Sequence, residues 1–481
     1  MKNNKLLKQF TSVGIGSLIN MVIGIMTTPL ITRLVDPSAY GQLSMFNTYV
    51  NICMMIVGLG FDQVLLRYYY VENTAEYKRS LISKVMFLPV MFFAVVALPI
   101  IIYLYVKGYF VSFQVRFLSI MFLVEVMCLL VNRISILILR LNGKATLYSA
   151  LSVLQKIIYV IVAIPLILFI KERYIYILIV ATFLSYFVPS IVAIITERKN
   201  WHFKLTRQYE NLNYKELLKY GLPMLLASSI YLFFQATDKI CLQYFCTYSD
   251  VGIYASAASI MSIIAIVRTS FTTVWTPAAV EHYEKDPNDL EFYIRINAII
   301  TFVMFVFGLS LMAGKDLIVL LLGEKYRKAS LILPYLLFQP IMYTISETTV
   351  VGLIFKKKSK MQLVSSLGAC VFNLGLNVIL IPIIGATGAS ISTGLSYIVF
   401  YTLRTALSHR YFPVPYSQKK IIIAIITTMV FAVYISIVPF GIFTIILYIV
   451  SIVVMCILYK DVVSEGIDKL KQIIGGRIKN E

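Results

Sequence analysis

The sequence predicts an all-α, polytopic membrane protein with about fourteen transmembrane helices, set out as two six-helix bundles followed by two extra C-terminal helices. Three observations carry this. Of the 481 residues, 59% are hydrophobic and only 14% charged, a larger apolar share than a soluble interior buries when ordinary usage is nearer half. Apolar runs of about 20 residues recur along the whole chain, the length a helix needs to cross roughly 30 Å of hydrocarbon. The gaps between the runs are short, whereas a soluble domain needs on the order of 100 residues to build a core.

Taken in order, the expected spans of the first bundle (residues 1–196) are Val13 to Ile31, Gly41 to Phe61, Leu81 to Val106, Phe117 to Ile138, Leu147 to Ile170 and Tyr174 to Ile195. Lys2, Lys5 and Lys8 precede an apolar run too long for a signal-peptide core, so the first span is expected to stay uncleaved. Residues 197–219 carry Arg198, Lys199, Lys204, Arg207, Lys215 and Lys219 and read as a basic cytoplasmic linker. The second bundle (220–408) holds Tyr220 to Tyr244, Val251 to Trp275, Phe292 to Met312, Ala329 to Phe355, Met361 to Ile384 and Gly385 to Leu407. Two spans within 409–460, Ile421 to Pro439 and Ile442 to Tyr459, complete the set. In the tail, 461–481, Val463, Ile467, Leu470, Ile473 and Ile474 interleave with lysines; an interfacial amphipathic helix and a frayed cytoplasmic tail both fit. A weak internal echo supports the two-bundle plan. The offset from Gly41 to Gly252 also carries the start of the first span to the start of the seventh, and repeated bundles around a midplane site are a common transporter plan.

The formal net charge is +20. In a soluble protein that would suggest nucleic acid, but in a membrane chain Lys and Arg mark cytoplasmic loops. With the N-terminus inside, most of the 43 Lys and Arg fall on the inner side, which puts both termini in the cytoplasm. The segment Ala313 to Lys328, outside by this count, runs against the bias with Lys315, Lys325, Arg327 and Lys328. The six cysteines lie singly, mostly in or beside apolar runs and without CxxC spacing, and His202, His282 and His409 are scattered. No metal centre, redox centre or cofactor is expected. No GxxxxGK[ST] nucleotide loop is present either.

Ionisable groups within spans cost at least about 2.5 to 3.5 kcal/mol each and by default point to function. The cations cluster toward the cytoplasmic side: Arg67 at the inner mouth of the second span, Arg133 on the fourth, Lys156 on the fifth and Arg268 on the eighth. Arg offers a planar fork to phosphate oxygens and Lys a point charge, so these four are candidates for binding an anionic substrate. Snorkelling to the inner headgroups is the other reading. Toward the outer side lie Asp238 on the seventh span, Asn373 and Asn377 on the eleventh and Thr393 on the twelfth. Asn373 and Asn377, four apart, share one helix face. A carboxylate with amide and hydroxyl oxygens at one depth suits Na⁺ or, through Asp238, a proton; hydrogen bonding between packed helices is the alternative. Glu125 and Glu347 are further acidic candidates.

Two sets of short motifs stand in corresponding parts of the halves. The first is Thr28-Pro29-Leu30-Ile31-Thr32-Arg33-Leu34, Asp36-Pro37-Ser38-Ala39-Tyr40-Gly41, Gly58-Leu59-Gly60-Phe61-Asp62 and Arg67. The second is Tyr220-Gly221-Leu222-Pro223, Thr237-Asp238-Lys239, Val251-Gly252-Ile253-Tyr254 and Trp275-Thr276-Pro277. In order and spacing the chain resembles the Wzx-type polysaccharide repeat-unit flippases of the multidrug, oligosaccharidyl-lipid and polysaccharide exporter superfamily. The resemblance implies a non-enzymatic transporter of a bacterial inner or plasma membrane. Its substrate would be an undecaprenyl-diphosphate-linked oligosaccharide for O-antigen, capsule or a similar polymer, carried from the cytoplasmic to the outer leaflet by alternating access. Membrane lipids would surround it, a polysaccharide polymerase and chain-length machinery would be partners, and nucleic acid would not. A multidrug or metabolite cation antiporter of the same superfamily is the nearest alternative, disfavoured by the inner cations. A membrane-embedded polysaccharide polymerase or ligase is another, and would be expected to need a larger outer loop than the sequence offers.

Overall fold

A backbone N–H or C=O without a partner in hydrocarbon costs several kcal/mol, so a chain of this composition satisfies those groups within helices. The computed structural model describes residues 19–20, 22–24, 26–109, 112–170, 172–201 and 212–468, and no strand occurs among them. The chain divides into two compact units, Met1–Ala236 and Thr237–Glu481. The dividing point lies inside a long helix, Tyr214–Phe245, downstream of the 197–219 stretch in which the sequence suggests a linker. Residues 202–211 of that stretch lie outside the described residues.

In the first unit, α1 (Pro37–Val57) and α2 (Phe61–Tyr68) are followed by α3 (Ala75–Val106), α4 (Phe113–Leu141), α5 (Ala145–Phe169), α6 (Tyr174–Thr196) and the start of α7 (Tyr214–Phe245). Pro37 opens α1, where its missing N–H costs no hydrogen bond. The Thr74 hydroxyl caps α3 by accepting from the Tyr77 amide. α1 and α2 meet at a 51° bend made by Gly58-Leu59-Gly60, with Gly60 at φ 70°. There the backbone of the bend crosses α7. A Cβ on Gly60 would lie 2.2 Å from the Gly221 carbonyl oxygen, and one on Gly221 would lie 2.6 Å from that of Leu59. Phe61, Leu65, Tyr69, Leu81, Val85, Ile138 and Leu217 form the core around this crossing. A second core, with Ile31, Leu43, Ala163 and Leu178, joins α1, α5 and α6.

In the second unit, α8 (Tyr248–Lys285) begins with a capping box of Thr247 and Asp250. Then come α9 (Leu290–Ala313), α10 (Lys315–Leu320), α11 (Ala329–Leu336), α12 (Phe338–Thr349), α13 (Val351–Phe355), α14 (Ser359–His409), α15 (Gln418–Ile437) and α16 (Ile442–Leu458). The 51 residues of α14 would reach about 76 Å if straight, more than twice the hydrocarbon thickness. The helix instead breaks at Ile384 (φ −130°) and Gly385 (φ 58°), and a Cβ on Gly368 would come 2.8 Å from Leu403. It is therefore two antiparallel arms, divided where the sequence separates the eleventh and twelfth spans. Among the described residues the α11–α12 stretch is the most enclosed candidate span, 78% buried against 17 to 50% for the others.

Among the described residues eight helices are long and apolar enough to cross a membrane, or ten when each of two bent pairs is one span. Every expected span after the first falls on a helix or on consecutive helices, the second reaching across the break between α1 and α2 and the tenth covering α11 to α13. The first lies largely outside the described residues, though 26–34 are helical. After α16 the helix Lys460–Asp468 turns away by 86° and Glu465 pairs with Arg295 of α9. The rest of the expected amphipathic tail lies outside the described residues.

Candidate functional site

Asp238, near the C-terminal end of α7 and 2% exposed, sits at the centre of a cage of hydrogen bonds. Its Oδ1 accepts from Asn373 Nδ2 at 3.1 Å and Asn377 Nδ2 at 2.8 Å. Its Oδ2 accepts from the Tyr254 hydroxyl at 2.6 Å and the Thr393 hydroxyl at 2.5 Å. Asn377 also donates to the Asn373 amide oxygen at 3.1 Å, while the Asn377 Oδ1 is buried with no hydrogen-bond partner. Local structure explains the convergence. The two asparagines are one turn apart on the first arm of α14, the reversal at Gly385 brings Thr393 back on the second arm, and Tyr254 is the first turn of α8 beyond its capping box. The structure thus brings together all four residues that the sequence groups at one depth, and adds Tyr254. Four donors around one carboxylate stabilise a buried charge. Rotation of the hydroxyls and of the two amides would present oxygens in their place, the donor set that a hard cation takes.

The basic residues are distributed differently. Arg67, in the last turn of α2, is exposed. Arg133, on α4, forms an ion pair with Asp62 of α2, through Nη2 at 2.6 Å and Nε at 3.0 Å to one oxygen. That pairing competes with both substrate binding and snorkelling. Lys156 is exposed on α5. Arg268, on α8, is half-buried with its guanidinium 4.4 Å from the centre of the Tyr343 ring on α12.

Below Tyr343 is a group that sequence reasoning did not single out. Arg404, 7% exposed on the second arm of α14, donates to Glu347 at 2.7 Å and to the Ser346 hydroxyl at 2.8 Å. Its guanidinium lies 5.3 Å from the Phe400 ring and 5.6 Å from that of Tyr343, and Phe400 stacks on Tyr343 at 5.5 Å. The Trp275 indole donates to the Glu347 carbonyl at 3.0 Å. Arg404 carried the same signal as the other cations, an ionisable group inside an apolar run, and its partner Glu347 was already a candidate. In the first unit Glu125 is 1% exposed on α4 and its Oε2 has no hydrogen-bond partner. Among the described residues no three His, Cys, Asp or Glu side chains gather as a metal site.

A family model described as "Polysaccharide biosynthesis protein" matches residues 6–282, more than half of the chain. No curated protein sequence matches. Among solved structures, a lipid II flippase MurJ in an inward closed conformation superposes with a TM-score of 0.69 at 14% identity, covering 95% of this chain and 99% of that one. An inward-facing multidrug resistance MATE family transporter of the MOP superfamily gives 0.60 at 17% identity, covering 82% and 94%. A point mutant of the Vibrio cholerae MATE transporter VcmN gives 0.52 at 17%, covering 85% and 97%. At these identities the likeness is one of fold, shared with structures of flippases and transporters. The chain is a multi-pass membrane protein that belongs to the polysaccharide biosynthesis protein family.

Proposed function

We propose that the protein is a flippase for undecaprenyl-diphosphate-linked oligosaccharide repeat units, moving them from the cytoplasmic to the outer leaflet of a bacterial inner or plasma membrane by alternating access. The observation that carries this reading is that a chain of the polysaccharide biosynthesis family takes the fold of a lipid flippase over nearly its whole length. The physics of the cargo agrees. Sugars and a diphosphate cannot cross hydrocarbon unaided, so a polar path must take the head while the prenyl chain stays in lipid. Arg67, Arg133, Lys156 and Arg268 are the residues assigned to the anionic head, Arg133 by exchange from Asp62. The excess of Lys and Arg on one side supports cytoplasmic termini. The Asp238 cage, with Asn373, Asn377 and Thr393, is assigned to a coupling Na⁺ or proton. Downstream partners on this reading are a polymerase and its chain-length machinery, in the assembly of O-antigen, capsule or a similar polymer.

The test is transport in sealed proteoliposomes holding the purified protein and a fluorescent lipid-linked oligosaccharide, with outer-leaflet label quenched from outside. Time-dependent loss of protection that requires the protein supports the reading. Movement of organic cations, with none of the lipid-linked sugar, would instead establish the multidrug antiporter.

A further inference from the structure

Among the twelve residues of α12 only Gln339 and Tyr343 are not buried. They are four apart, so they lie on one face, and α12 belongs to the most enclosed candidate span among the described residues. Amide, phenol and guanidinium groups are unsuited to a lipid-facing position, and intramembrane polar groups of this kind line bundle interiors or water-filled cavities.

Each group on this face is held by something behind it. The Tyr343 ring carries the Arg268 guanidinium over it, at 4.4 Å from its centre, and stacks with the Phe400 ring at 5.5 Å. One turn on, the Arg404–Glu347 pair ties α12 to the second arm of α14. A guanidinium held over an aromatic ring keeps its charge, and its planar fork is the group that matches phosphate oxygens. On the turn before Tyr343, Gln339 donates from Nε2 to the hydroxyl of buried Tyr397 at 3.1 Å. That bond fixes the plane of the amide and so the direction in which its oxygen accepts. An anion-binding fork over Tyr343 and an oriented amide acceptor one helical turn before Tyr343 match a phosphate bonded to a hydroxyl-bearing ring.

We infer that this face of α12 is a sugar-phosphate subsite, in which Arg268 takes the phosphate, Tyr343 is the positioning residue for Arg268, and Gln339 accepts a hydrogen bond from the first sugar. The inference rests on the flippase reading and names which end of its substrate the second unit holds.

The test measures binding to the purified full-length protein in nanodiscs, with three probes: undecaprenyl diphosphate, undecaprenyl-diphosphate N-acetylglucosamine and soluble UDP-N-acetylglucosamine. The parent is expected to bind the sugar-bearing lipid more tightly than the bare diphosphate. Arg268→Ala and Tyr343→Leu should weaken both lipids by the same factor, about tenfold, and Tyr343→Phe, which keeps the ring, should recover most of that loss. Gln339→Ala should weaken only the sugar-bearing lipid, roughly fivefold. If Gln339→Ala affects both lipids equally or neither, or if Tyr343→Leu binds like the parent, the subsite is overturned while the flippase reading stands. Competition by UDP-N-acetylglucosamine as strong as that of the lipid, and lost in Gln339→Ala, would reassign the site to a soluble nucleotide sugar. A parent that binds neither lipid overturns the flippase reading and the subsite with it.

Discussion

Asp238 shows how much of a site a residue pattern reveals. The i, i+4 pair Asn373 and Asn377 was legible because two amides on one apolar helix face need polar partners on a neighbouring helix, and depth counting at 1.5 Å per residue matched them to Asp238 and Thr393. Tyr254 was not legible as a ligand, because one tyrosine among 33 near a span end reads as interfacial packing. Its bond to Asp238 at 2.6 Å makes a specific expectation. Tyr254→Phe removes one donor from a buried carboxylate and should cost about 1 to 3 kcal/mol, read as a lowered melting temperature in detergent. Asp238→Asn tests coupling itself. A cation held in only one conformation biases the two-state equilibrium by its differential affinity. The variant should therefore lose more of the dependence of transport on an imposed Na⁺ or proton gradient than of its affinity for substrate. An unchanged ion dependence in Asp238→Asn would reduce the cage to a packing device.

At the scale of elements, the short motifs acquire physical reasons that the sequence alone withheld. Gly58-Leu59-Gly60 and Tyr220-Gly221 are far apart in the chain, and nothing in either predicts the other; they are needed together because two backbones cross with no room for a Cβ. Gly221→Val puts a branched side chain into that crossing and should lower stability by several kcal/mol, since the nearest atoms are backbone and cannot move aside. Gly24→Val, with nothing within 4 Å of its added Cβ, is the control. Both are checked by thermal unfolding in detergent. The Arg404–Glu347 pair was not drawn although Glu347 was a candidate, since Arg404 was left out of the cations considered and single-sequence reading finds helices better than it finds which helices touch. Breaking it by Arg404→Met leaves a buried carboxylate uncompensated, at about 3 to 5 kcal/mol, and adding Glu347→Gln should return most of that loss. Span positions fared better, since the length of an apolar run is set by the bilayer. The reversal in α14 fell where Ile384 and Gly385 divide two runs, a place only a φ of 58° makes sharp.

At the scale of the whole molecule, the fold was legible because lipid leaves few alternatives: a chain of repeated 20-residue apolar runs must be a helical bundle. The point at which the two compact units divide was less so. It falls between Ala236 and Thr237, within one helix, where no change of composition marks it. That position puts Asp238 two residues into the second unit, with Tyr254, Asn373, Asn377 and Thr393 all in that unit. On the proposed coupling role, a cation at these residues would be held by the second unit alone and would act by altering its internal helix packing. The energy available suffices for that role. One charge moved through 100 mV gains roughly 2.3 kcal/mol, and a tenfold concentration ratio adds about 1.4 kcal/mol. Together these give a bias of several hundredfold, a large part of the ~5.5 kcal/mol that a complete 1:99 to 99:1 reversal requires. The protein should therefore move its lipid-linked substrate in proteoliposomes without ATP, in keeping with the lack of a nucleotide loop in the sequence. Collapsing the ion gradient with an ionophore should leave exchange between leaflets but abolish net accumulation in one of them. Nucleotide hydrolysis linked to turnover by the chain alone, or undiminished accumulation after the ionophore, would refute gradient-driven alternating access.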